Sequence, residues 1–264
     1  MKDILIDIVN NKRLEVASHK EVVSSSNLIS MIQECTHEPV SMRQSLAASP
    51  TGIIAEFKRK SPSKGWIHED ALPEIVSPDY EKAGASALSV LTDEKYFGGS
   101  LNYLRRVREL VHLPVLRKDF IIDEYQLLEA RQAGADAVLL IAACLSQEEC
   151  VRLAVKAHEL GLETLLEIHS ETELDYVTDE VDMVGVNNRN LGTFHTDVQN
   201  SFHLAGRVPE DKLLVSESGI SDVETILQLR EAGFRGFLIG ETFMKEADPG
   251  QALELFLAQV KAVR

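Results

Sequence analysis

The run GADAVLLI, residues 134–141, sets a pattern that much of the chain repeats: a Gly-Ala pair followed by an apolar stretch with almost no polar interruption. GASALSVL at 84–91 has the same form, and GLETLLEI at 161–168 and GFRGFLIG at 233–240 are variants. Each reads as a helix that stops on a C-terminal glycine, with a buried strand beginning after it. Strands covered by helices on both faces are continuously apolar, unlike the alternating strands of half-exposed sheets. Such strands are expected at 53–58, 87–91, 115–118, 137–141, 163–168, 183–187, 213–217 and 236–240.

Helical patterns fill the intervals. Leu101, Leu104, Val107 and Leu110 share one apolar face at helical spacing, and Leu127, Leu128 and Arg131 continue another helix up to Gly134. Ser146 with Glu149, Ser170 with Glu173, and Ser221 with Glu224 have the spacing of capping boxes. The helix after the first strand carries Pro73 and Pro78, so it starts at Pro78 with Ser77 as cap or is kinked there. Strand–helix alternation eight times over about 210 residues predicts a closed (β/α)8 TIM barrel. An open doubly wound sheet would carry a glycine-rich phosphate fingerprint after its first strand, and none is present. Residues 1–50 precede the first strand. Ile4, Leu5, Ile8 and Val9, then NLISMIQ at 27–33 and MRQSLAA at 42–48, predict a helical extension ended by Pro50 that can lie across one barrel end. A single domain over 1–264 is expected, with the extension at 1–50 and the barrel at 51–264.

With 264 residues and 44% hydrophobic content, the chain is long enough to bury a large core. No apolar stretch reaches the roughly 18–20 residues of a membrane helix, and MKDILID at the start lacks the features of a secretory signal, so a soluble, cytoplasmic protein is expected. Cys35, Cys144 and Cys150 are odd in number and contain no Cys-x-x-Cys pair, which predicts free thiols. A net charge of −15 disfavours nucleic acid, and no such partner is expected, since phosphates need a basic footprint. It also makes the few cations near strand ends, Lys58, Lys118 and Arg189, stand out as places for an anion.

In a barrel of this kind the C-terminal strand ends meet at one rim, where catalytic groups collect. Glu56 and Lys58 close the first strand, Lys118 the third and Glu167 the fifth. Asn187, Asn188 and Arg189 close the sixth, Glu217, Ser218 and Gly219 the seventh, and Gly240 the eighth. The charged set reads equally as a structural ion-pair ring or as acid–base machinery. SESGI at 216–220 and IGET at 239–242 fall in the loops after strands seven and eight, the usual phosphate site of such barrels. No nucleophile triad is visible around Ser218. His169 follows Glu167, but the other histidines are scattered, and no ligand cluster for a metal emerges.

Longer stretches carry a resemblance. IIAEFKRKSPS (53–63), LTDEKYFGGS (91–100), LRKDFII (116–122), AVLLI (137–141), LLEIH (165–169), VGVNNRNL (184–191), SESGI (216–220) and FLIGE (237–241) together closely resemble indole-3-glycerol phosphate synthases. The resemblance runs from about residue 50 to 245, and the helical extension is similar too. It implies closure of an indole ring from 1-(2-carboxyphenylamino)-1-deoxyribulose 5-phosphate, with loss of carbon dioxide and water, in tryptophan biosynthesis. It implies no cofactor and no metal, a monomer, and other tryptophan-pathway enzymes as potential partners. Carried over, Lys118 is the general acid and Glu167 and Glu56 are carboxylates that stabilise the developing cation and take protons. Lys58 holds anionic groups of the substrate and assists dehydration. Asn187 and Arg189 line the site. Ser61, Glu217, Ser218, Gly219 and Gly240 are binding positions, and Phe97, Phe120 and Leu139 form the apolar wall.

Two features depart from that family's pattern. Glu241 stands where many relatives have a small residue, and Pro78 is unusual in its helix. The loop KRKSPSKGWI (58–67) is expected to cover the site and to order on substrate binding. A phosphoribosylanthranilate isomerase-like barrel would work with an Asp/Cys pair, where this chain has Lys and Glu. A barrel kept only as a binding scaffold would be free to lose Lys118 or Glu167, and both are present.

Overall fold

The computed structural model describes residues 4–190 and 192–262, so Leu191 of the VGVNNRNL run lies outside the described residues. Eight parallel strands close into a ring: β1 (Ile53–Phe57), β2 (Ala87–Leu91), β3 (Val115–Lys118), β4 (Ala137–Ile141), β5 (Glu163–Ile168), β6 (Met183–Asn187), β7 (Leu213–Glu217) and β8 (Gly236–Ile239). β1 closes it, with Glu56 opposite Ser89 of β2 and Ile54 opposite Leu238 of β8. The expected ranges hold, except that β1 and β8 each stop one residue short, before Lys58 and Gly240. The wall is apolar inside and out because every strand is sandwiched between the interior and the outer helices.

The extension comprises α1 (Ile4–Val22), α2 (Ser25–Gln33) and α3 (Met42–Ala48). Its α3 covers one barrel end, as expected, and α1 reaches the other as well. Met42 and Leu46 of α3 are fully buried and join Ile54, Ala87, Leu116 and Met183 inside the barrel floor. Val16 of α1 and Leu28 of α2 pack on Tyr125 and Leu128 along the outer wall. The first turns of α1 bring Ile4, Leu5 and Ile8 to the opposite rim.

The outer helices are α4 (Pro73–Ala83), α5 (Leu101–Arg108), α6 (Glu124–Ala133), α7 (Gln147–Glu159), α8 (Gln199–Ala205), α9 (Val223–Glu231) and α10 (Pro249–Ala262). α4 starts at Pro73, not at Pro78. Proline suits the first helical position because its missing N–H would have had no partner there. Pro78 sits inside the helix, whose packing is held by the buried Val76 and Tyr80. Of the three capping boxes read from the sequence, Ser146–Glu149 forms as expected. Ser221–Glu224 does not: Asp222 takes the cap, its carboxylate accepting from the Thr225 N–H at 2.8 Å. Ser170–Glu173 does not form either, and residues 171–176 make a 3-10 helix instead of an α-helix. Glu173 is drawn away, since its carboxylate accepts the His169 backbone N–H at 2.5 Å. Cys35, Cys144 and Cys150 take part in no disulfide among the described residues.

Lys12 ties α1 to the rim. Its ammonium is 1% exposed and lies 2.9 Å from Glu15, 3.0 Å from Asp93 and 2.9 Å from Asp119. Burial pulls its pKa down, but the three carboxylates outweigh that and leave it above the usual lysine range. Asp119 is burdened by burial too, yet Lys12 and Arg117 hold it well below the usual carboxylate range. Removing one partner from such a cluster strands the others in a dry site. Lys12→Met is therefore expected to lower unfolding free energy by about 3–5 kcal/mol, which equilibrium denaturation in urea will measure. A loss under about 1 kcal/mol would show that the pair is solvated or dispensable.

Candidate active site

Side chains along a strand alternate between faces, so positions two apart point the same way. Ile54, Leu116, Leu165 and Val215 point into the barrel and form an apolar layer. Two residues further on come Glu56, Lys118, Glu167 and Glu217. The pleat alone therefore delivers one lysine and three glutamates to a common level at the rim. The Lys118 ammonium lies 4.0 Å from Glu56, 3.7 Å from Glu167 and 3.7 Å from Glu217. Lys58, one residue past β1, turns back to within 2.6 Å of the second oxygen of Glu56.

These groups are almost fully enclosed, with the three glutamate side chains at 1–3% exposure and Lys118 at 16%. Burial opposes the charge on Lys118, but the surrounding carboxylates prevail and keep it an ammonium. Burial likewise pushes Glu56 upward, and Lys58 and Lys118 overcome this to hold it below the usual range. Glu167 is also held low, against burial, by Lys118, His169 and Asn187. Glu217 goes the other way: burial and the two neighbouring carboxylates outweigh Lys118 and push it up. One site thus contains carboxyl groups of opposite protonation tendency, the usual mark of divided acid and base duties. Among the described residues one Glu217 oxygen meets Lys118 at 3.7 Å, and neither oxygen has a closer hydrogen-bond partner.

Two glycines make room for these carboxylates. A Cβ at Gly240 would lie 2.4 Å from a Glu56 oxygen, and one at Gly185 would lie 2.2 Å from a Glu217 oxygen. Any larger residue would push the acid out of its place.

Two confluent hollows, of about 860 and 1260 Å³ and both open to solvent, meet over Lys118, Lys58 and Glu56. The first is apolar. Phe97 and Phe120, 6.0 Å apart between ring centres, line it with Leu139, Ile141 and the α1 residues Ile4, Leu5 and Ile8. The second is polar and is lined by Ser218, Gly219, Gly240 and Glu241. Ser218 and Gly219 both have left-handed backbone, with φ of 67° and 78°. For serine that conformation is uncommon and is retained where the local backbone has a task.

The remaining residues named from sequence fall on the same rim. Asn187 hydrogen-bonds Glu167 and accepts the Arg189 backbone N–H at 3.0 Å. Arg189 donates to Ser63 at 2.8 Å, pinning the loop after β1, and Ser61 is buried against the apolar hollow. Within that loop Lys60–Ser61 and Gly65–Trp66 pair as a small antiparallel hairpin, with Trp66 seated over Gly98. Glu241 bridges Lys64 at 3.5 Å and Arg189 at 3.6 Å. The reading from sequence did not place His169, Glu173 or the α1 residues here. His169 carried a signal in its position two residues past Glu167, whereas nothing in α1 marks it as a wall of the site.

Comparison with known proteins places the chain in a family. The family model described as indole-3-glycerol phosphate synthase matches residues 5–256. The indole-3-glycerol phosphate synthase of Bacteroides thetaiotaomicron is 61% identical over 261 residues, 99% of this chain and 100% of that one. That of Rhodopirellula baltica is 45% identical over 259 residues, covering 97% and 99%. Among solved structures, tryptophan synthase subunit alpha from Legionella pneumophila superposes with a TM-score of 0.61 at 17% identity, covering 84% of this chain and 97% of that one. The 3-hexulose-6-phosphate synthase from Salmonella typhimurium gives 0.62 at 14% identity, covering 79% and 99%. At such identities the two structures speak for the barrel alone. The family match over nearly the whole length and the close relatives say more: the chain belongs to the indole-3-glycerol phosphate synthase family, decarboxylating lyases of tryptophan biosynthesis.

Proposed function

We propose that the two hollows divide one substrate, 1-(2-carboxyphenylamino)-1-deoxyribulose 5-phosphate, with its aromatic ring against Phe97, Phe120 and Leu139 and its phosphate against Ser218, Gly219 and Gly240. The observation that carries this reading is the position of Lys118, an ammonium within 4.0 Å of three carboxylates at the junction of an apolar and a polar compartment. The substrate's ketone, between its ring and its phosphate, falls at that junction.

The chemistry follows from the charges. The ring carbon bearing the carboxylate attacks the ketone carbon, and Lys118 donates its proton to the ketone oxygen, giving an alcohol. The ring is left cationic, and Glu56 and Glu167, both ionised, stabilise it. Carbon dioxide then leaves, and the electron pair of its bond restores the aromatic ring. In the last step a proton leaves to Glu167 while the hydroxyl departs as water, protonated from the lysine pair. Lys58, 2.6 Å from Glu56, is placed to meet the substrate's anionic groups and to assist that departure. Glu217, pushed toward its neutral form, offers an O–H donor to the same intermediates. The residues suffice for proton transfer without a cofactor. A monomeric enzyme in the cytoplasm, working on a small phosphate ester beside other enzymes of its pathway, completes the proposal.

Adding the carboxyphenylamino deoxyribulose phosphate should produce indole fluorescence. Lys118→Ala and Glu167→Gln are each expected to cut turnover by at least about a hundredfold with the fold retained by circular dichroism. Near-parental turnover in both would refute the assignment. Gly185→Ala tests the geometry. The added methyl meets the end of the Glu217 side chain, which can swing away, so the protein should fold while kcat falls by about ten- to a hundredfold. An unchanged kcat would show that the Glu217 carboxyl need not occupy its present position.

A further inference from the structure

The turn after β5 buries an ionisable side chain that the reaction above does not use. His169 is 13% exposed and lines neither hollow. Its Nε2 lies 3.3 Å from Oε1 of Glu167, and its Nδ1 lies 3.5 Å from Oε2 of Glu173. The same Glu173 oxygen accepts the His169 backbone N–H at 2.5 Å, so Glu173 holds the residue by its main chain and faces its ring. From α8, Asn200 donates to the backbone carbonyls of His169 at 3.1 Å and Asn187 at 3.2 Å, fixing the turn against the end of β6.

The arrangement gives the two oxygens of Glu167 different neighbours. Oε2 faces Lys118, the proton donor, and Oε1 faces His169. Burial alone would strip the charge from His169, but Glu167 and Glu173 outweigh it and raise its pKa to about 10, so the ring is an imidazolium at neutral pH. The charges then balance. Lys58, Lys118 and His169 offset Glu56, Glu167 and Glu173, while Glu217 is pushed toward its neutral form. It also explains why Glu173 abandons the capping box that its spacing from Ser170 allows. The carboxylate is committed to His169, and the helix start is given up for it.

We infer that His169, clamped by Glu173, is a positioning residue that fixes the outer oxygen of Glu167 and supplies the second positive charge that keeps it a proton acceptor. The inference rests on the proposed role of Glu167. His169 acts through that carboxylate, since it does not line the cavity. The charged groups around the pair are Glu167 and Glu173 on its own segment, Lys118 of β3, Glu56 of β1 and Glu217 of β7, while β6 and α8 present the uncharged Asn187 and Asn200.

The test is a pH profile. Without the imidazolium, Glu167 protonates more readily, so the acidic limb of kcat/KM, set by loss of its proton, moves to higher pH. For His169→Gln, measured from about pH 3 to 9, that limb is expected to rise by about one pH unit, with kcat down about tenfold at neutral pH and KM changed less than about threefold. Glu173→Gln should move the limb the same way by a smaller amount. An unmoved limb in His169→Gln, or a change confined to KM, would overturn the inference. Should His169→Gln fail to fold, Glu173→Gln decides alone, and an unmoved limb in it overturns the inference equally. Glu167→Gln separates the two levels. If it is inactive and the limb is unmoved, the positioning role falls and the proposed reaction stands. If it turns over normally, the proposed reaction falls and the inference with it.

Discussion

Lys118 among Glu56, Glu167 and Glu217 is the interaction on which the rest of the structure turns. None of these groups would stay charged at its depth alone, because an isolated buried ion costs far more than a protein of this size can spare. Together they are tolerable. Their common level is not an accident of loops but a consequence of the pleat, two residues above an apolar layer on four strands. The ring can form only if the strands close in this register. Fold and electrostatics therefore specify each other: a one-residue slip in any of those strands would turn its charge into the outer helix layer.

The same constraint reaches outward. Lys118 is followed by Asp119, which Lys12 and Arg117 hold, and Lys12 belongs to the N-terminal extension. The extension thus does two kinds of work. At the floor Met42 and Leu46 fill the barrel with apolar volume. At the rim a buried ammonium fixes α1 next to the residue after Lys118, while Ile4, Leu5 and Ile8 complete the apolar hollow. A barrel without this segment would lose part of its site wall as well as part of its core.

The strands were legible because burial on both faces writes an unbroken apolar run, and before four of the runs a glycine marks where the helix must stop. The strand-end residues were legible for a related reason, since a charge closing an apolar strand is costly unless it has company. Local signals that depend on competition were not. Ser221–Glu224 has the spacing of a box, but Asp222 offers a charged acceptor one residue later and wins. Ser170–Glu173 has it too, but a tertiary demand, His169, takes the glutamate. Pro78 reads from backbone chemistry alone as a helix start or a kink, and Pro73 and the buried Tyr80 put it inside the helix. The α1 residues at the rim could not be read at all, because which end of a barrel an amphipathic helix reaches is set by long-range packing.

The chain's charge of −15 poses a last question for the proposed reaction, how a doubly anionic substrate is held. Net local charge does not answer it. Lys58 is engaged by Glu56, Lys64 and Arg189 by Glu241, and Lys118 by the carboxylates around it. Lys58 can still turn from Glu56 to one anionic group of the substrate, and what remains for the phosphate is partial charge. Backbone N–H groups carry no counter-ion, and their dipoles are fixed by the fold, so they stabilise an anion without adding to a crowded ion network. The left-handed Ser218–Gly219 turn and the glycine closing β8 are where the main chain can approach a phosphate closely. On this reading a strained serine is accepted because any cation added there would instead be captured by the glutamates of the rim.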